Sequence, residues 1–523
     1  MLSRPKRLSG IQCLQLLEQL NEDESENDAA GTSPSGSGCD SESSIAELRN
    51  EVENSSDSSC VSSDAEVIGQ SDTTSRLRGR GRGFRGRSSR GRLSSNTAQR
   101  AVSHDAYIGR DGTVWSQAEI EVEGAGRRAQ QNVFKDKAGP TPYASRAIKE
   151  SNVYSAFKLL IDEPMLRHSK KGTEAEARRV LSDESWTLTL EELEAITAIV
   201  YARGASGAKG LSLKSLWDST WGLGFAKQTM ARDRFCEIMK YLRFDMKSTR
   251  QSSLKRDKFA LASEIWYRFI KNSKLCYVPG ENITVDEQLF PMKTRCRFIQ
   301  YIANKPDKFG VKFWLAVDVD SKYLVNGFPY LGKDEERPVD RTLGHHVVQR
   351  LMEPYLHKGR NVTTDNFFTG LKLAKHLKDQ STSIVGTVNR ARRELPSCAN
   401  DTTSQRYESQ LLKHEGITLT IYRCKPSKNV VILSTVHTAI AVGSDPKKTP
   451  ESIEFYNATK FGVDVIDQMA RKYSVKAGSR RWPIQIWYNV LDSAAINSWI
   501  LYKHVTGKKT FPDETSSCNL PVS

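Results

Sequence analysis

Nowhere in the chain do about 18 apolar residues follow one another, so no segment reads as a membrane-spanning helix. The N-terminus, MLSRPKRLSG, turns polar too early for a secretory signal. Nine cysteines, at 13, 39, 60, 236, 276, 296, 398, 424 and 518, are scattered without one C-x-x-C pair. That spacing argues against a zinc finger and for a reducing compartment. Acid is missing altogether from residues 76–100, which carry nine arginines, whereas residues 1–75 carry fifteen acids against four bases. The body that remains, 101–523, keeps a net charge of +17, hidden inside the whole-chain value of +15. A folded body with that excess attracts polyanions, and nucleic acid is the first candidate. At 523 residues the chain is too long for one small module and suits two to four domains of about 100–200 residues.

The first 100 residues are rich in Ser, Glu, Asp and Gly and poor in aromatics, so they bury too little apolar surface to offset the entropy of ordering, and a disordered tail is expected. Ile11 to Leu20 is a short apolar run that a partner would induce into a helix. Between Arg76 and Arg92 the repeat RLRGRGRGFRGRSSRGR reads as a flexible polycation for RNA or DNA phosphates, or as a solvated tail. Residues 101–149 read as linker. Ordered structure is expected from Ser151, with helical spacing through Tyr154, Phe157 and Leu160. Thr189 and Glu192 form a capping box before a further helix, and Met230–Phe244 and Leu261–Ser273 continue an all-helical 150–280.

After Pro279 the period changes to two. Strands are expected at Asn282–Leu289, Phe313–Val319 and Tyr323–Phe328. A helix at Leu343–His357, a strand at Asn361–Thr364, a helix at Gly370–Lys378 and a strand at Ser383–Val388 complete a mixed α/β pattern over 281–390. Three strands in 391–440 read as an inserted meander. The pattern resumes over 441–470, with helices expected at Ser452–Tyr473 and, over 471–505, at Pro483–His504. Residues 506–523 read as a loose tail.

The acids fall at telling places on this map. Asp286 lies within a strand among apolar neighbours, where an ionised carboxylate needs a partner. Asp365 ends a short strand before a helix, and Asp464 and Asp467 share one helical face. Two carboxylates about 4 Å apart repel by roughly 4 kcal/mol at an effective dielectric of about 20, so a cluster of them calls for cations. All-oxygen ligands favour Mg2+ or Mn2+ over zinc, and two such ions suit in-line phosphoryl transfer. The segment after these acids is basic. Lys472, Lys476, Arg480, Arg481 and Trp482 are candidate DNA contacts, with a solvated linker and a core tryptophan as the alternative. Arg390, Arg392 and Arg393 carry the same expectation. His345, His346 and His437 have no Cys or His at zinc spacing and read as solvated or core histidines, and Trp217 and Trp221 as core.

At these same acids the sequence resembles the piggyBac family of DNA transposases and their domesticated descendants. The resemblance runs in family order through MARDRFCEIMKYLRFD (230–245), ITVDEQL (283–289), NKPDKFGVKFW (304–314), TTDNFFT (363–369), IVGTVNRARRELP (384–396), YNATKFGVDVIDQM (456–469) and RRWPIQIWYNVLDSAAINSWILY (480–502). It implies an α/β fold: an RNase H-like catalytic domain with a β-rich insertion, plus helices for DNA binding and dimerisation. It further implies that Asp286, Asp365 and Asp464 hold two Mg2+, with Asp467 assisting, and that a nuclear homodimer nicks, hairpins and joins double-stranded DNA at TTAA targets. The family typically ends in a Cys-rich zinc-binding segment, and here only Cys518 lies beyond Tyr502. Two functions follow: an active transposase, or a domesticated DNA- or chromatin-binding protein.

Overall fold

The computed structural model describes residues 106–118, 133–150 and 152–508, apart from 221, 304, 334–336, 402–404, 427, 438, 440, 444 and 445. The expectations for the N-terminal tail, for Ile11–Leu20, for the Arg-Gly stretch, for Trp221 and for most of the C-terminal tail lie outside those residues. Among the described residues no helix is long and apolar enough to cross a membrane.

Among the described residues of 142–276 there are nine α-helices: α1 (Pro142–Ala147), α2 (Val153–Leu160), α3 (Glu163–Leu181), α4 (Leu190–Ala205), α5 (Leu213–Leu216), α6 (Gly224–Thr229), α7 (Arg232–Tyr241), α8 (Arg250–Arg256) and α9 (Ser263–Cys276). Local chemistry sets several of their starts. Thr141, Asn152 and Asp162 accept the first free amides of α1, α2 and α3, and the Thr189–Glu192 capping box opens α4. Nothing in the hydropathy pattern announces α3. Its buried stripe is Met165, Leu166, Ser169, Gly172, Thr173, Glu176 and Ala177, which has helical spacing but small or polar members. The polar ones are satisfied internally: Ser169 Oγ donates to the Met165 carbonyl at 3.0 Å, and Glu176 pairs with Arg243 at 2.9 Å.

Strands β1 (Ala106–Ile108), β2 (Val114–Gln117), β3 (Gly139–Pro140), β4 (Tyr277–Val278), β5 (Asn282–Pro291), β6 (Ile299–Tyr301), β7 (Phe309–Asp318), β8 (Leu324–Pro329), β9 (Asn361–Thr364), β10 (Ser383–Thr387), β11 (Ser409–His414), β12 (Ile417–Lys425) and β13 (Lys428–Ser434) follow the chain. All but β3 and β4, which pair with each other, join one eleven-stranded sheet in the order β1-β2-β11-β12-β13-β10-β9-β5-β7-β6, with β8 also on β7. At its centre β5 runs antiparallel to β7 and parallel to β9, and β9 runs parallel to β10. Helices α10 (Leu343–Met352) and α11 (Leu371–Asp379) precede β9 and β10.

The strands of 391–440 continue the central sheet, since β13 pairs antiparallel with β10. One expectation changes here: 106–117 is not free linker, because β2 pairs with β11. Fully buried Trp115 secures that hairpin, its Nε1 donating to the Glu394 carbonyl at 2.8 Å. The expected helix over Ser452–Tyr473 is two, α12 (Glu451–Thr459) and α13 (Gly462–Lys472), before α14 (Trp482–Thr506) closes the fold. One hydrophobic cluster runs from Trp115 through the helices and the sheet to Tyr502.

Candidate active site

Strand register brings the first two acids together. Val285 on β5 stands opposite Thr364 on β9, so Asp286 and Asp365 come next on adjoining parallel strands. Neighbouring strands lie roughly 4.8 Å apart. β9 stops before Asp365 while β5 runs on to Pro291, which leaves Asp365 at a strand end where the backbone turns. That turn is held tightly. The Phe367 amide donates to Asp365 Oδ1 at 3.0 Å, and Thr369 Oγ1 donates to the Asp365 carbonyl at 2.7 Å. Gly386 permits the close approach of β10, since a Cβ there would lie 2.4 Å from the Thr364 carbonyl oxygen.

Helix α13 carries the third acid across the sheet. Thr284, Asp286 and Gln288 alternate onto one face of β5. At one end of this row Thr284 Oγ1 donates to the Thr459 carbonyl at 2.6 Å, and Gly462 sits so close that a Cβ would meet Thr284 Oγ1 at 2.6 Å. At the other end Gln288 Nε2 donates to Asp467 Oδ1 at 3.2 Å, while Gln288 Oε1 accepts from Asn489 of α14 at 3.1 Å. Asp286 lies between the two contacts on the strand, and Asp464 lies between them on the helix. Asp467 is also paired with Arg471 at 2.9 Å, so it serves the attachment of α13 to β5.

Electrostatics records the convergence. Burial raises Asp286 well above the ordinary carboxylate range, and the charges of Glu287, Asp365 and Asp464 push it further. Burial, with Glu287 next, lifts Asp365 to about 7 although the Phe367 and Phe368 amides oppose it. Burial also raises Asp464, against Lys305. Lys305 itself is raised: burial disfavours its ammonium, but Asp286, Glu287, Asp464 and Asp467 outweigh that cost. The Tyr456 hydroxyl is raised by burial, with all three aspartates adding to it.

Glu287, Lys305, Lys312 and Tyr456 are site residues to which sequence reasoning gives no role. Glu287 adjoins Asp286 and pairs with Lys312 at 3.6 Å. All four lie in the segments ITVDEQL, NKPDKFGVKFW and YNATKFGVDVIDQM, the same segments that carry the resemblance, and it is the fold that brings their side chains to the aspartates.

The donor set is all carboxylate oxygen, which suits Mg2+ or Mn2+ in kind. Among the described residues no group of three or more His, Cys, Asp and Glu side chains is gathered closely enough to hold a metal ion. The aspartates share a field without forming a closed ligand set.

The basic candidates divide by where their side chains go. Arg393, Lys472 and Arg480 are exposed, and Arg390 and Lys476 are partly so. Three face inward. Arg481 donates to the carbonyls of Leu242, at 2.8 Å, and Met239, and burial pulls its pKa down to about 10. Trp482 stacks on Phe259 at 5.7 Å and meets Phe298 edge-on at 5.1 Å, which is a core position. Arg392 Nη2 donates to the Phe367 carbonyl at 3.3 Å and braces the Asp365 turn. Of the histidines, His345 and His437 are buried, and Trp217 packs on Phe235.

A mixed sheet that sets one acid inside a strand, Asp286, beside another at the end of its parallel neighbour, Asp365, is the frame in which the class is to be read. A family model described as Transposase IS4 matches residues 152–499, and the chain belongs to that family, in its piggyBac-type branch. A solved piggyBac transposase synaptic complex with hairpin DNA is similar with a TM-score of 0.67 at 32% identity, over 72% of this chain and 80% of that one. The human PiggyBac transposable element-derived protein 3 is 25% identical over 247 residues, 43% of this chain and 41% of that protein. The human Chimeric ERCC6-PGBD3 protein matches at the same identity over 23% of its length. The chain therefore spans less than half of either human relative.

Proposed function

We propose that the chain is a DNA transposase that cuts and joins strands, in which Asp286, Asp365 and Asp464 are the residues that would hold two divalent cations. One observation carries this: Asp286 and Asp365 follow the paired residues Val285 and Thr364 on adjoining parallel strands, and α13, packed on the same strand, bears Asp464. The sequence β8-β7-β5-β9-β10, antiparallel on one side of β5 and parallel on the other, supports an RNase H-like reading of the catalytic part. Bound ions would supply Lewis-acid stabilisation of the attacking and leaving oxygens.

The chain's own groups do the rest. The amides of Phe367 and Phe368 orient the Asp365 carboxylate. Lys305 and Lys312 put positive charge beside the acids, and Tyr456 walls one side. Exposed Arg393, Lys472 and Arg480 contact phosphates. By the same family reading the protein acts on double-stranded DNA in the nucleus as a homodimer, forms hairpin intermediates and joins at TTAA.

Asp365→Asn preserves shape while removing a charge. It should cut Mg2+-dependent plasmid nicking by more than about 100-fold and leave DNA affinity within about twofold, since affinity comes from Lys and Arg contacts to phosphate. Wild-type protein that binds DNA yet nicks nothing with Mg2+ or Mn2+ would favour a domesticated binding protein, the reading that the 25% identity to a transposable element-derived human protein supports.

A further inference from the structure

Helices α10 and α11 bring together two histidines that lie far apart in the sequence. His345, in the first turn of α10, and His376, in the last turn of α11, have ring centres 5.4 Å apart and planes tilted by 51°. His345 is 8% exposed, and the Nε2 atoms of both rings are enclosed without a hydrogen-bond partner. A buried ring nitrogen ordinarily finds a partner, and one left bare is costly. Two bare ones on neighbouring rings, not bonded to each other, are not explained as core packing. Burial, with His376 and then Arg341 adding to it, pulls the His345 pKa down to about 4. At neutral pH that ring is therefore uncharged imidazole, the form that binds metals.

The separation of the rings is informative. An ion about 2.1 Å from Nε2 stands about 3.2 Å from the ring centre, so two imidazoles on one tetrahedral ion have centres about 5.2 Å apart. The 5.4 Å between His345 and His376 fits that spacing. We propose that His345 and His376 are two ligands of Zn2+, or of a divalent ion of its class, bound between α10 and α11 through their Nε2 atoms. Among the described residues no third His, Cys, Asp or Glu completes the set. Water fills the other positions, so the ion is exchangeable and not a closed structural zinc. Imidazole selects zinc-like ions, whereas the carboxylates of Asp286, Asp365 and Asp464 suit Mg2+, so the two positions do not compete for one metal. The place of the pair gives the ion a task. A Cβ on Gly344 would meet the Phe367 carbonyl oxygen at 2.6 Å, so α10 is seated on the turn that follows Asp365, and α11 starts at Leu371 just beyond it. A bound ion would fasten together the two helices that flank that turn.

The test uses the full-length protein, stripped with chelator, kept reduced with a phosphine and held in excess Mg2+ so that the carboxylates are covered. It is dialysed against Zn2+ and the zinc per chain is counted. Wild type should hold one Zn2+ more than either His345→Gln or His376→Gln, and the rise in melting temperature that Zn2+ gives wild type should be lost in both. The zinc X-ray absorption spectrum of wild type should contain imidazole scattering that the spectrum of His376→Gln lacks, which separates this pair from zinc on cysteine sulfur. The proposal is overturned if wild type and the variants hold the same amount of zinc, if only one of the two substitutions lowers the count, or if the two spectra match. Should His345→Gln fail to fold, His376→Gln, on the more exposed partner, decides by count and spectrum together.

Discussion

Among single residues, Asp492 shows what burial costs an ionised carboxylate in this fold. It sits in α14 at 6% exposure and accepts hydrogen bonds from Ser474 Oγ at 2.6 Å and from the Val475 amide at 2.8 Å. Burial nevertheless lifts it to about 7, against those bonds and against Lys209 and Lys476. The folded state therefore holds a proton that the unfolded chain releases near pH 4. Stability from this group is fully present below about pH 4 and is lost as pH rises through about 7, by an amount on the order of 4 kcal/mol. Asp492→Asn cannot titrate. The unfolding free energy of wild type relative to Asp492→Asn should fall between pH 4 and pH 7.5 in denaturant titrations, and parallel curves would refute the assignment.

Between elements, adjacent arginines in one sequence motif perform different work. Arg481 joins the start of α14 to the end of α7, whose last carbonyls have no partner within the helix. Arg480 beside it is exposed. Arg481→Ala should cost roughly 1–3 kcal/mol of stability by stranding those carbonyls. Arg480→Ala should stay within about 0.5 kcal/mol and instead weaken DNA binding, as thermal melts and filter binding on the same pair would reveal. Sequence could not separate the two, because a basic run looks alike whether its members turn in or out. It read β9 correctly, since the apolar and β-branched run ending at Asp365 is set by local pattern. It missed α3, whose buried stripe is polar, and the hairpin at 106–117, whose partner β11 lies about 300 residues away. It also ran α12 into α13, because the break at Lys460 and Phe461 comes from Gly462 seating on Thr284, a contact between distant segments. The acids Asp286, Asp365 and Asp464 were legible as types at particular strand and helix positions. Glu287 and Lys305 became site residues only once the fold had brought their charges together.

At the scale of the whole molecule, charge is organised in blocks of opposite sign along one chain, −11 over 1–75, +9 over 76–100 and +17 beyond. Salt dependence of DNA binding counts the phosphates that such blocks neutralise. Deleting 76–92 removes eight arginines and should lower the slope of log affinity against log salt by about 0.7–0.9 for each phosphate that is no longer neutralised. An unchanged slope would make that stretch a spacer.

The division of the three aspartates between supports has a consequence for how the set can be broken. Asp286 and Asp365 ride on hydrogen-bonded neighbouring strands, whereas Asp464 rides on an eleven-residue helix joined to α12 by two residues. Two of the acids therefore keep their spacing through the strand ladder, while the third keeps its place through the seat of Gly462 on Thr284 and the Gln288–Asp467 hydrogen bond. A side chain added at Gly462 would push α13 off that seat, displacing Asp464 while Asp286 and Asp365 stay beside each other.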